Sequence, residues 1–174
     1  MAAALGRGGR VLGTFVGQRL AIYPAGFSTT CLARAAVEPE LKERAVAILQ
    51  RLSYYGIAEV EFLRDPRDGV FKLLDVNQRP WKWIGLPIAA GVDLPWLAYA
   101  ETTGEAVGMV ERRDDMLWVS VKDYVPLRAC GEAMQVVDPL GKDLWLAPTD
   151  PEPFYRAIQS AFGEGATPAP AERT

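Results

Sequence analysis

Residues 56–81 read GIAEVEFLRDPRDGVFKLLDVNQRPW. Two runs of apolar and β-branched residues, 57–64 and 70–76, flank Asp65-Pro66-Arg67-Asp68-Gly69, a segment built of turn formers. The pattern predicts an antiparallel hairpin. Side chains alternate faces along a strand. Pairing Arg64 with Val70 then sets Glu61 across from Leu73 and Glu59 across from Asp75, and gathers Glu59, Glu61, Asp75 and Asn77 on one face. A one-residue slip would carry Asp75 to the opposite face, and a five-residue loop leaves room for a bulge.

Three acids on neighbouring strands repel one another. A divalent cation would relieve that repulsion, and the Asn77 amide would complete an all-oxygen ligand set suited to magnesium, which can bridge carboxylates to nucleotide phosphates. Arg79, two residues on, carries a fork able to grip a phosphate or a carboxylate. The same residues are also readable as a solvated hairpin face with its acids turned outward, an arrangement common in antiparallel hairpins, and spacing alone leaves both readings open.

On the N-terminal side, residues 38–54 predict a helix. Glu38-Pro39-Glu40 suits a helix start, Leu41, Ala45, Ile48, Leu49 and Leu52 recur at helical spacing, and Gly56 is the expected left-handed cap. Residues 10–23 suggest one or two strands, followed by a loop through Pro24, Gly26 and Ser28 to Thr30. Residues 1–9 read as a flexible arm or a turn. On the C-terminal side, Trp81 and Trp83 flank Lys82 and either line a pocket or pack beneath the sheet, with at least one expected to pack. Asp93-Leu94-Pro95 opens a helix to about Thr103. A strand covers 116–121, the charged run 111–115 is a solvated turn, and 122–148 is irregular. A final helix starts at Asp150-Pro151-Glu152-Pro153 and ends near Phe162, and 163–174 is a disordered tail.

The composition of the 174 residues narrows the chemistry. There is no histidine, which excludes a Ser-His-Asp triad, a Cys-His pair and a histidine-ligated zinc. A net charge of -3 without a basic stripe argues against nucleic acid. No apolar run approaches a bilayer span, and the first ten residues lack a signal-peptide core, so the expected location is cytoplasmic, with no membrane partner. Cys31 and Cys130 stand far apart with no metal spacing and read as ordinary thiols.

The hairpin also resembles the signature of the ATP-grasp superfamily. In that family a strand ending in acid-Phe, here Glu61-Phe62, is followed after a turn by a strand carrying acid-x-Asn-x-Arg, here Asp75-Val76-Asn77-Gln78-Arg79. The run Ala89-Ala90-Gly91-Val92-Asp93-Leu94-Pro95, the upstream FVGQRLAIYPAGFSTT (residues 15–30) and the late Asp150-Pro151-Glu152-Pro153-Phe154 are similar to the carboxylate-amine ligase branch. Asp75 stands where glutamate is more usual, and Gln78 where proline is frequent. The likeness extends over about residues 10–160.

The resemblance implies that Glu61, Asp75 and Asn77 bind Mg2+ (or Mn2+), that Glu61 and Asp75 thereby hold ATP, and that Arg79 steadies the transferring phosphate or an acyl-phosphate. Arg19 matches a basic position near the phosphates and the acceptor, and Glu59 is a supporting acid. The implied reaction is ligation: ATP phosphorylates a small carboxylate, and an amine-type acceptor then displaces phosphate. The family's lysines, glycine-rich lid and adenine hinge precede this segment, and no lysine occurs before Lys42. Residues 6–13 (GRGGRVLG) supply no phosphate loop, since no Gly-Lys-Ser/Thr follows. The expected fold is α+β, a mostly antiparallel sheet with helices on one face, as a partial ATP-grasp domain over 10–162. A partner chain would complete it. The alternatives are a non-catalytic binding module that keeps this fold, and an unrelated α+β domain with an acidic hairpin.

Overall fold

The computed structural model describes residues 2–24, 29–106, 112–114, 116–120 and 122–123. The chain is α+β, with antiparallel strand pairing throughout the described residues. In place of a single sheet there are two. Strands β1 (Ala2–Leu5), β2 (Val11–Phe15), β5 (Gly56–Arg64) and β6 (Phe71–Asn77) form one, in the order β2-β1-β5-β6. Strands β3 (Gly17–Tyr23), β4 (Thr29–Ala35) and β7 (Leu117–Val119) form the other, in the order β3-β4-β7. Residues 10–23 thus divide at Val16 into two strands that belong to different sheets.

Two strands lie where the sequence predicts none. Ala2–Leu5, expected as part of an arm or turn, pairs with β2 on one side and β5 on the other. Alanine favours helix, so its strand state is imposed by the neighbours it pairs with. Strand β4 occupies residues expected partly as loop. Its TTCLARA sequence is buried at five of seven positions, as a central strand covered on both faces should be.

Three α-helices and a short 3-10 turn at Arg7–Gly9 complete the described fold. The first, α1 (Pro39–Arg51), has Pro39 in its first turn and buries Leu41, Ala45 and Leu49. Its end differs from expectation. Ser53, at φ +50°, takes the capping position expected of Gly56. Its N–H donates to the Gln50 carbonyl at 2.9 Å and that of Tyr54 to the Leu49 carbonyl at 2.9 Å, the paired bonds of a Schellman ending. Gly56 opens β5 instead.

Residues 84–103 hold α2 (Gly85–Ala89) and α3 (Leu94–Thr103). The Asp93 carboxylate caps α3 by accepting from the Trp96 N–H at 2.9 Å, and Gly104 closes it at φ +74°. The expected helix at 150–162 and the tail at 163–174 lie outside the described residues, as does most of 122–148.

The helices are not confined to one face of the hairpin sheet. Ala58 and Val60 of β5 pack with Leu41, Ala45 and Leu49 of α1. Ile57, on the other face, packs with Leu94 and Leu97 of α3 in the main core around Phe15, Trp81, Trp83, Leu86 and Trp118. Alternate residues of β5 therefore meet different helices. Gly17 makes room for this core, since a Cβ there would stand 2.6 Å from the Trp83 ring. Among the described residues no helix is long and apolar enough to cross a membrane.

Candidate functional site

The hairpin turn is wider than its sequence suggests. The Asp65 N–H donates to the Val70 carbonyl at 2.9 Å and the Gly69 N–H to the Asp65 carbonyl at 2.7 Å. The Asp65 carboxylate accepts from the Arg67 N–H at 3.0 Å, and Gly69 sits at φ +70°. Val70 is drawn into the loop, so Arg64 pairs with Phe71 rather than with Val70. The ladder then shifts once more between Glu61 and Phe62, because Leu73 opposes Phe62 while Asp75 opposes Glu61. Leu74 is the extra residue of a β-bulge.

Packing agrees with the bulge. Phe71 and Val76 both rest on the core under α1, although five residues apart in a regular strand they would face opposite ways. The expected partners, Leu73 for Glu61 and Asp75 for Glu59, are thus replaced. Glu61 opposes Asp75 and Glu59 opposes Asn77. Two single-residue shifts cancel in parity.

On that face lies a cleft of about 530 Å³ between the two sheets. Glu59 and Glu61 of β5 and Leu74 of the bulge form one side, and Arg19 and Ile22 of β3 with Thr29 and Thr30 of β4 form the other. The segment after β6 contributes Arg79, Trp81, Lys82 and Trp83. Both tryptophans are buried and meet edge to face at 5.4 Å, so they pack in the core and line the cleft at once. Leu74, which carries no signal in the sequence, occupies a place in the wall. The Asp75 carboxylate lies outside the lining, exposed, and accepts from the Val76 N–H at 2.8 Å.

The polar groups form a chain across the cleft. Arg19 makes an ion pair with Glu61. The other Glu61 oxygen accepts from the Asn77 amide nitrogen at 2.9 Å, and the Asn77 oxygen accepts from the Arg79 guanidinium at 3.2 Å. Glu59 is 4% exposed. Burial first, and then the adjacent Glu61 carboxylate, push its pKa up to about 7, against the opposing pull of Arg19. Lys82 pairs with Asp123, which also accepts from the Ser120 hydroxyl at 2.6 Å. That pairing spans 41 residues and has no sequence signature. Cys31, in β4, is a buried free thiol; Cys130 lies outside the described residues.

The donors suit a hard cation in type, being two carboxylates and an amide oxygen. In position they suit it partly. Both Glu61 oxygens already have protein partners, Asn77 turns its oxygen to Arg79, and the described residues include no cluster of three or more acidic, cysteine or histidine side chains arranged for a metal. Comparison with protein-family models and with curated proteins returns no match.

Proposed function

We propose that the cleft is the magnesium-binding side of an ATP-grasp-like ligase site. In this reading Glu61, Asp75 and Asn77 hold the cation, and Arg79 steadies the transferring phosphate. A small carboxylate is activated by ATP and passed to an amine-type acceptor. One observation carries the reading: the β5–β6 ladder sets Glu61 opposite Asp75 and joins Glu61, Asn77 and Arg79 in an unbroken hydrogen-bonded series at a cleft. A bound Mg2+ would offset the charge of nucleotide phosphates there.

The residues of this chain do the rest. Asn77 orients the Glu61 carboxylate, Arg79 presents its remaining N–H groups to an anion, and Trp81 and Trp83 wall off one side of the cleft. In the ligation, a carboxylate oxygen bonds to the γ-phosphorus as ADP leaves. The amine nitrogen then bonds to the acyl carbon as phosphate leaves with the C–O electron pair and the amine gives up its proton. The adenine-binding half is supplied by further polypeptide, in a partner chain or elsewhere in the same protein.

A second reading, a binding module without catalysis, is favoured by the ion pair that already engages Glu61. Titrating the protein with Mg2+ while following tryptophan fluorescence separates the two. The ligase reading expects a saturable change, reported by Trp81 and Trp83 beside the site. No response in the protein alone, or after the nucleotide-binding half is added, leaves the binding module.

A further inference from the structure

The geometry points to Arg19 and a divalent cation as alternative partners of Glu61: Arg19 is a tethered counter-ion that holds Glu61 until the cation displaces it, and then turns to an anion in the cleft. This rests on the cation site proposed above.

Arg19 reaches Glu61 from the opposite sheet, so the pair straps β3 to β5 across the cleft. It stands just before an irregularity in the β3–β4 ladder, where Arg19 pairs with Ala33 but Ala21 pairs with Leu32. Bulges of this kind re-aim side chains. The strap is lopsided: the Arg19 side chain is 38% exposed and that of Glu61 20%. Among the described residues the ion pair of Arg19 is with Glu61 alone. Glu61 is held on its other oxygen by Asn77 and keeps its aim when Arg19 leaves.

The other cations of the cleft have partners other than Glu61. Lys82 is paired with Asp123, and Arg79 bonds Asn77 and the Pro80 carbonyl. Exchange at Glu61 itself therefore releases Arg19, the cation paired with that carboxylate. Its planar fork then suits a ligand bearing phosphate or carboxylate oxygens. The exchange also replaces a single charge beside Glu59 and Glu61 with a double one, which favours it.

The test is binding of Mn2+ alone, read as loss of the free-ion electron paramagnetic resonance signal, to the full chain and to its R19Q, R19M and R19K variants. A partly exposed ion pair lost as a competitor predicts about two- to fivefold tighter binding in R19Q and R19M, with R19K close to the parent. R19M serves if R19Q folds poorly. Binding in the neutral variants that is equal to the parent or weaker overturns the inference and leaves the cation site standing. Absence of Mn2+ binding in the parent and in every variant removes the site and the inference together.

Discussion

Asp75 stands directly opposite Glu61 because Leu74 is one residue too many for its strand. If the ladder ran on evenly from Arg64 and Phe71, Asp75 would oppose Val60 and turn toward the core under α1. The bulge returns it to the side of Glu61. Its carboxylate nonetheless stays at the rim, exposed and bonded to the next backbone N–H.

That position makes Asp75 the more peripheral of the two carboxylates. If the proposed cation site holds, Asp75→Asn should weaken Mg2+ binding roughly tenfold, since ligand charge tunes such sites, whereas Glu61→Gln should abolish it. Fluorescence titration measures both. An unchanged affinity in Asp75→Asn takes Asp75 out of the ligand set.

Glu59 should make stability fall with rising pH. Its carboxyl titrates at about 7 when folded, against 4.5 as the ordinary value. Between those pH values the folded protein holds a proton that the unfolded chain has released, so the free energy of unfolding declines from about pH 4.5 to about pH 7 and then levels off. The decline attributable to this group is on the order of 1–3 kcal/mol. Glu59→Gln should flatten it, as read from urea denaturation at a series of pH values. An equal slope in the variant would assign the effect elsewhere.

Cys31 should resist alkylation. Burial, and secondarily Asp123, push its thiol up to about 11, and the side chain is wholly buried. At pH 8 in a Cys130→Ser background, iodoacetamide should modify it at least about 100-fold more slowly than it modifies the unfolded chain, because the thiolate is the reactive form. Mass spectrometry follows the rate. Comparable rates in folded and urea-unfolded protein would contradict the burial.

Ser53→Gly should stabilise the protein by about 1 kcal/mol. Ser53 holds a left-handed conformation at the end of α1 that glycine adopts without a Cβ penalty. A raised denaturation midpoint with unchanged slope checks it. A lowered midpoint would mean that the serine hydroxyl supplies something the backbone geometry does not reveal.

Several features were legible in the sequence because they depend on neighbours along the chain. The start of α3, the start of α1 and the place of the hairpin turn rest on Asp93, Pro39 and Asp65–Gly69, each acting within a few residues. The common face of Glu59 and Glu61 follows from strand alternation alone. The helix stop at Ser53 is not legible, because a serine in the left-handed region has no compositional mark.

The rest was decided in three dimensions. Ala2–Leu5 is a strand only because β2 and β5 hydrogen-bond to it on both sides. The partner of Glu61 depended on how many residues the turn consumed and on where the bulge fell, and neither is set by local propensity. The Arg19–Glu61 pair joins strands of two sheets, and Lys82 meets Asp123 across 41 residues. Sequence periodicity therefore determined which residues face the same way along one strand. Only the tertiary fold, by bringing distant charges into a shared cleft, decided which of them meet.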